Sequence, residues 1–109
     1  MQMTSFLQDK KLTIALCGEI DHHGAKNVLR SISEKIEQFM PVTCVLDFRD
    51  VSFMDSSGIA IVIHTYRRML ELNGELCLKR VPDQPRKVFE AAGLNKIISI
   101  EGRITVYEG

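Results

Sequence analysis

Two adjacent serines lie in the segment of this chain that is best suited to chemistry. Ser56 and Ser57 follow Asp55 and precede Gly58, where an apolar run ends and a helix-period pattern starts. We therefore expect the Ser56 hydroxyl at the junction between a buried strand and a helix N-terminus. Such a junction leaves several backbone N–H groups unpaired and carries a partial positive charge, so it tolerates a phosphate. The segment predicts that Ser56 is a phosphorylation switch on a protein-binding surface.

The simplest alternative for Ser56 is a helix N-cap, whose side-chain oxygen accepts a hydrogen bond from a backbone N–H. The neighbours favour the switch, because Asp55, Ser57 and Gly58 leave a short, polar approach and glycine lets another backbone come close. A phosphoserine adds roughly −1.5 to −2 charge. A like charge about 4 Å away costs ~1 kcal/mol in water and ~4 kcal/mol at an effective dielectric near 20. Phosphate beside Asp55 is thus expected to repel a partner while the fold survives.

A serine hydrolase is the second function that these residues allow. Its nucleophile would be one of the two serines and its base one of the three histidines, His22, His23 or His64. The nucleophile elbow Gly-x-Ser-x-Gly is absent, because Met54 occupies the first glycine position. A chain of 109 residues also leaves little material for a substrate cleft. The sequence favours a binding module over an enzyme.

The segment Asp21-His22-His23 is the other cluster of polar side chains, and it suggests a metal site with His64 as a third nitrogen ligand. Adjacent histidines rarely point at one ion, however, and His64 has no histidine partner four residues away on its helix. We expect no metal and no cofactor here. Asp21 or a neighbour is predicted to cap the first helix, a role in which Asp21 can still contact a partner, with His22 and His23 as solvated loop residues beside it.

Composition excludes several classes of partner. The chain has 14 basic and 14 acidic residues, so it lacks the basic excess that tracks a nucleic-acid backbone. No charged N-terminal region precedes an apolar run, and no segment approaches membrane-spanning length. Three cysteines without a CxxC spacing favour buried free thiols in a reducing compartment: Cys17, Cys44 and Cys77. We expect a cytoplasmic protein that binds neither nucleic acid nor membrane.

Hydrophobic periodicity predicts a hairpin followed by alternating helices and strands. Period-two alternation from Leu12 to Cys17 indicates a strand, and the turn at Asp9-Lys10-Lys11 joins it to the preceding Thr4–Leu7 stretch. The later elements are a helix ended by Pro41, a strand Thr43–Phe48, a helix from Ser56 to Asn73-Gly74, a strand Leu76–Leu78, a short helix from Pro85 to Gly93 and a strand Ile97–Ile100. This order predicts one α/β domain over residues 1–109, with a mixed, mostly parallel sheet and flanking helices.

Each long helix shows one apolar face. In the first, the face comprises Ala25, Val28, Leu29, Ile32, Ile36 and Phe39. In the second, it comprises Ile59, Val62, Ile63, Tyr66, Met69 and Leu70. We expect both faces to pack on the sheet.

The segments Gly18–His23 and Ser52–Gly58, read Gly-Glu-Ile-Asp-His-His and Ser-Phe-Met-Asp-Ser-Ser-Gly, resemble the STAS-domain anti-sigma factor antagonists of spore-forming bacteria. The sporulation type, which acts in the forespore sigma pathway, is the most similar, and the resemblance covers most of the chain. It implies that the anti-sigma factor, a kinase that uses ATP, phosphorylates Ser56. The unphosphorylated antagonist would bind that anti-sigma factor and free the sigma factor, and a serine phosphatase would reverse the modification.

The resemblance also implies a contact surface around Ser56 and the Asp21 loop. The predicted partner-binding residues are Asp21, His22, His23, Met54, Asp55, Ser57, Gly58 and Ile59, with Met54 and Ile59 as possible exposed anchors. A STAS-domain switch of a general-stress sigma pathway is the alternative within the same fold. The tail, Ser99–Gly109, is strand-like where such proteins usually end in a helix, so the resemblance does not predict its structure.

Overall fold

A computed structural model describes residues 2–102 of the chain. Five strands and three helices follow one another in a nearly regular alternation. In chain order the elements are β1 (Gln2–Gln8), β2 (Lys11–Ile20), α1 (Ala25–Phe39), β3 (Thr43–Met54), α2 (Ser57–Glu71), β4 (Glu75–Val81), α3 (Asp83–Ala91), a short 3₁₀ turn (Leu94–Lys96) and β5 (Ser99–Gly102).

The five strands form one sheet whose spatial order is also the chain order. β1 and β2 pair antiparallel as a hairpin, and the later pairs, β2–β3, β3–β4 and β4–β5, are parallel. The predicted α/β domain with a mixed, mostly parallel sheet is therefore confirmed. Parallel strands direct their carboxyl ends to the same edge of the sheet, so the loops after β2 and β3 lie side by side. The part of the predicted strand-like tail from residue 103 to residue 109 lies outside the described residues.

The core lies between the sheet and the helices. Alternate residues of β2 are buried, as the period-two pattern predicts: Leu12, Ile14 and Leu16. The predicted face of α1 is confirmed, with Val28, Ile32 and Ile36 buried and the other three members packed against the core. In α2 the prediction is partly wrong, since Leu70 is half exposed and the buried set includes Ile61 and Thr65. Burial of Thr65 escaped the pattern because its hydroxyl donates to the Ile61 carbonyl and needs no water.

Several strand boundaries differ from the sequence-based expectation, since β2 continues to Ile20 and β4 to Val81. β3 continues to Met54 rather than ending at Phe48, because β2 pairs with it along this whole length despite the exposed Arg49 and Asp50. The last strand begins at Ser99, so Ile97 and Ile98 precede it. Ile98 is buried, whereas Ile97 is exposed. A simple hydrophobic pattern predicts neither the end of β3 nor the start of β5, because Arg49 and Asp50 are polar residues inside a strand and Ile97 and Ile98 are apolar residues outside one.

One aromatic contact joins α3 to the sheet. Phe89 of α3 and Phe48 of β3 are both fully buried, and their rings meet edge to face with centroids 5.4 Å apart and planes at 86°. Pro85 is buried in the first turn of this helix, and Gly93 follows it with a φ of 78°, as the sequence predicts for the start and the stop. Through this contact, α3 packs against β3 at Phe48, near the middle of the strand.

The cysteines lie in the predicted strands and are free thiols. Cys44 is buried, and burial, followed by the nearby Cys77, raises the pKa of its thiol to about 12. Cys77 is half-buried, but Cys17 is exposed, so the expectation that all three are buried is wrong for Cys17.

No helix within residues 2–102 is both long enough and apolar enough to cross a membrane.

Candidate functional site

The loops that follow β2 and β3 meet at one edge of the sheet. Ile20, the last residue of β2, is in register with Met54, the last residue of β3. The pairing extends one residue further, because the Asp55 N–H donates to the Ile20 carbonyl at 3.0 Å. The Asp21 loop therefore lies beside the segment Asp55, Ser56 and Ser57, which we call the serine corner. The two segments around which the resemblance implies a contact surface are therefore neighbours in the structure.

Ser56 is exposed at the start of α2 and its hydroxyl is uncommitted. Its backbone has φ −65° and ψ −14°, and its side chain makes no capping hydrogen bond. Within residues 2–102 we find no other hydrogen bond to that hydroxyl. The Ser56 carbonyl accepts the Ile59 N–H at 3.0 Å, which anchors the residue from the backbone alone. The side chain is thus free to react while the backbone beneath it is fixed.

The Asp55 carboxylate, rather than the Ser56 hydroxyl, makes the capping hydrogen bond of α2. Its Oδ1 accepts the Ser57 N–H at 2.8 Å and also the Ser57 hydroxyl. Ser56 occupies the N-cap position, as the alternative predicts, but its side chain makes no capping hydrogen bond, because the neighbouring carboxylate already satisfies the Ser57 N–H. Ser57 is committed to Asp55, so its hydroxyl is not paired with an imidazole as a hydrolase nucleophile would be.

The same contacts make Asp55 a stronger acid. In the folded chain its pKa lies below the ordinary value, because first the hydroxyl and then the N–H of Ser57 donate to the carboxylate, with a smaller effect of His22. The His22 Nδ1 lies 3.9 Å from the Asp55 Oδ2. Asp55 therefore carries its negative charge throughout the neutral range, next to the Ser56 hydroxyl.

Asp55→Ala should destabilise the protein more near neutral pH than in acid. A carboxyl whose pKa falls on folding contributes stability above its unfolded pKa, about 4, and that contribution is lost as the pH falls through the folded pKa. Urea midpoints of the wild type and the variant should differ near neutral pH and converge as the pH falls below the folded pKa of Asp55. Glu34→Ala, which removes an exposed carboxylate from α1, is the control and should change little at either pH. A gap that stays constant on acidification would contradict this role of Asp55.

Asp21 shapes the adjacent loop but does not cap α1. Its Oδ1 accepts the N–H groups of His23 and Gly24 at 3.0 and 3.2 Å, and its carbonyl accepts the Ala25 N–H at 2.9 Å. The helix begins at Ala25 with Gly24 as N-cap, so the cap is a neighbour of Asp21, three positions further on, and not Asp21 itself. A tight turn between strand and helix explains the difference, since it uses the carboxylate before the helix starts.

The two histidines of this loop are exposed, as expected. Their rings lie 4.1 Å apart, centroid to centroid, and are tilted by 34°. His64 lies on α2, away from this turn in the sequence. In the described part of the chain, no three His, Cys, Asp or Glu side chains form a cluster suited to a metal ion.

Met54 and Gly58 pack against each other beneath the serine corner. Met54 is fully buried, so the expectation that it is an exposed anchor is wrong. A Cβ added at Gly58 would lie 2.3 Å from the Met54 Sδ and 2.5 Å from its Cγ. The missing side chain of Gly58 therefore makes room for Met54, and Gly58 is itself buried rather than open to a partner. Ile59 is half-buried against the core and keeps part of its surface exposed.

Gly58→Ala should destabilise the domain by about 1–2 kcal/mol. Alanine favours a helix over glycine by up to ~1 kcal/mol, but overpacking a filled core costs about 1–3 kcal/mol, and Met54 leaves no space. Urea denaturation measures the change. Gly24→Ala is the matched control, because the nearest atom to its Cβ would be Asp21 Oδ1 at 4.0 Å. Equal stability of Gly58→Ala and wild type would show that the Met54 side chain moves aside freely.

Gln84, which the sequence did not single out, also reaches this site. It lies in the first turn of α3, and its side-chain amide bonds the backbone of Met54. No sequence signal points to it, because its partner is a peptide group 30 positions away. The site therefore comprises the Asp21 loop, the serine corner and the first turn of α3.

The STAS domain family matches residues 6–108 of the chain. An anti-sigma F factor antagonist of Lysinibacillus sphaericus is 35% identical over 83 residues, which cover 76% of this chain and 71% of that protein. The anti-sigma-B factor antagonist of Bacillus subtilis is 26% identical over 95 residues, covering 87% and 85%.

The anti-sigma factor antagonist SpoIIAA has been solved in two forms, and both resemble this fold at 30% sequence identity. The unphosphorylated form gives a TM-score of 0.79 over 91% of this chain and 87% of that one. The form described as phosphorylated, from Bacillus, gives 0.71 over 91% and 90%.

Proposed function

Because the chain belongs to the STAS domain family, we propose that it is an anti-sigma factor antagonist whose binding is switched off by phosphorylation of Ser56. In the unphosphorylated state it binds an anti-sigma factor and so releases a sigma factor for transcription. In the phosphorylated state it does not bind. The protein acts by docking and carries no catalytic activity of its own.

The observation that carries this proposal is the exposed, uncommitted hydroxyl of Ser56 on a rigid backbone. A kinase must reach its target oxygen, and Asp55 has taken over the capping role that would otherwise occupy it. Ser57, the adjacent hydroxyl, is engaged by Asp55. The two serines are thus chemically distinct, and Ser56 is the one available for phosphoryl transfer.

Electrostatics supports the direction of the switch. Asp55 is ionised at neutral pH, and the Asp21 loop lies alongside it. A phosphate on Ser56 adds roughly −1.5 to −2 charge to this edge. Where a partner presents a negative charge about 4 Å away, each unit of like charge costs ~1 to ~4 kcal/mol, depending on the dielectric. Docking is therefore weakened while the sheet and helices are undisturbed.

The partners that we propose are an anti-sigma factor with serine kinase activity and a serine phosphatase that resets Ser56. The contact surface consists of the exposed part of the site, namely Asp21, His22, His23, Asp55, Ser57 and Ile59, around Ser56. We assign the protein to a sporulation pathway of the sigma F type, with the general-stress sigma B type as the alternative. The higher identity to the sigma F antagonist, 35% against 26%, favours this order. The cycle regulates transcription, so we place it in the cytoplasm.

The direct test is incubation of the purified protein with ATP and the anti-sigma F factor of Lysinibacillus sphaericus. Intact-mass measurement and peptide mapping should find one phosphate, on Ser56. A parallel reaction uses the anti-sigma-B factor of Bacillus subtilis. Faster phosphorylation by the anti-sigma F factor supports the sigma F type, and faster phosphorylation by the anti-sigma-B factor supports the alternative. A phosphate on another residue, or none with either kinase, would contradict the proposal.

A further inference from the structure

The carboxyl-terminal half of β3, Phe48–Met54, is paired with a strand on one side only. β2 accompanies β3 as far as Met54, but β4 pairs with it only from Thr43 to Asp47. Between Phe48 and Met54, the peptide groups that face away from β2 have no strand partner in residues 2–102. The serine corner follows directly from this half-paired segment.

Gln84 supplies the missing partner at Met54. Its Oε1 accepts the Met54 N–H at 2.9 Å, and its Nε2 donates to the Met54 carbonyl at 2.8 Å. A primary amide has the donor and the acceptor of a peptide group, so one side chain takes the place of a neighbouring strand. Both backbone hydrogen-bonding groups of Met54 are held at once, which fixes the orientation of the two peptide groups that flank this residue.

The clamped residue controls the approach to Ser56. The next residue, Asp55, donates its N–H to Ile20 on the opposite side. The backbone that leads into the serine corner is therefore hydrogen-bonded on both sides, to Ile20 of β2 through the Asp55 N–H and to Gln84 of α3 through Met54.

The helix that carries Gln84 is itself well anchored. Pro85, the next residue, is buried, and Phe89 packs edge to face on Phe48 of β3. The amide therefore projects from a fixed first turn. Gln84 is an exposed residue, so water competes for its hydrogen bonds and their loss should affect the position of the corner more than overall stability.

From this geometry we infer that Gln84 is a positioning residue for the phosphorylation of Ser56: its side-chain amide clamps Met54 and so holds the Ser56 hydroxyl in place for the kinase. The inference rests on the proposed function. Phosphoryl transfer depends on in-line alignment of the attacking oxygen, and small displacements of a reacting group slow a reaction strongly. Gln84 acts through the backbone and does not touch the transferred phosphate.

Gln84→Met tests the clamp itself, because methionine keeps the length of the side chain but offers no comparable donor or acceptor. Gln38→Met, on the exposed surface of α1, is the matched control. Amide hydrogen exchange of Met54, followed by NMR, should be at least about tenfold faster in Gln84→Met and unchanged in Gln38→Met. The amide of Leu46, in the doubly paired half of β3, should stay protected in both. Equal protection of Met54 in wild type and Gln84→Met would overturn the inference.

Steady-state phosphorylation by the anti-sigma F factor of Lysinibacillus sphaericus tests the consequence. We expect Gln84→Met to lower kcat about tenfold and to change KM by less than about twofold, since alignment rather than docking is lost. A variant that exposes the Met54 amide yet is phosphorylated at the wild-type rate would overturn the positioning role and leave the Ser56 switch intact. A wild-type chain that takes up no phosphate would instead overturn the switch, and the role of Gln84 with it.

Discussion

The Ser56→Ala protein should not be phosphorylated when it is incubated with ATP and an anti-sigma factor, and it should still bind that anti-sigma factor. Ser56 is exposed and its hydroxyl is uncommitted, whereas Ser57 is held by Asp55. Removing the Ser56 oxygen therefore removes the atom that accepts the phosphoryl group, and it leaves the Asp55–Ser57 capping hydrogen bond and the backbone unchanged. Intact-mass measurement should show complete loss of incorporation, and the Kd should stay within about twofold of that of the unphosphorylated wild type.

Ser56→Asp should imitate the modified state in part. One added negative charge costs ~1 to ~4 kcal/mol where it faces a like charge of the partner about 4 Å away, so we expect the Kd to rise at least about fivefold. Full phosphorylation should weaken binding further, to about a hundredfold, because it adds more charge and bulk.

Two controls accompany these variants. Ser57→Ala should still be phosphorylated on Ser56, and Ser33→Asp, which adds a charge to the exposed surface of α1, should bind as the wild type does. Equal affinity of phosphorylated and unmodified protein for the anti-sigma factor would refute the gating mechanism.

Phe89→Ala should cost about 3–5 kcal/mol of unfolding free energy, the range for large-to-small substitutions of buried aromatic residues. The ring is fully buried and makes the edge-to-face contact with Phe48 that attaches α3 to β3. A domain of this size is stabilised by only about 5–15 kcal/mol, so the loss is a large part of the total. α3 has nine residues and is too short to persist without such packing.

Phe53→Ala is the matched control for this measurement. It removes the same side chain from a residue that is 44% exposed, so urea denaturation should show a change within about 0.5 kcal/mol. A loss below about 1 kcal/mol for Phe89→Ala would mean that the ring does not hold the helix.

The sequence predicted the parts of the structure that depend on repeated local patterns. The opening hairpin, the alternation of helices and strands, and the face of α1 follow from periodicity, and β-α alternation implies a parallel sheet. The adjacency of Asp21 and Ser56 needed one further step, since parallel strands bring their carboxyl ends to one edge. The exposure of Ser56 also agrees with the expectation.

The details of the site depended on geometry that composition does not encode. Whether Asp55 or Ser56 caps α2 is decided by backbone angles, and both residue types are good caps. The burial of Met54 follows from the register of β2 and β3, which shifts twice before their ends. Gln84 escaped notice because a backbone partner leaves no trace in the sequence. Propensities and spacing therefore located the site but not its internal contacts.

The agreement between sheet order and chain order has a consequence for synthesis on the ribosome. Every strand pairs with the strand made just before it, so a nascent chain can extend a finished edge without inserting between strands already in place. The hairpin offers the first edge, and β3 and α2 then add the serine corner. Gln84 leaves the exit tunnel last among the residues of the site, so a truncated product would carry the serine corner without the two hydrogen bonds that Gln84 makes to Met54.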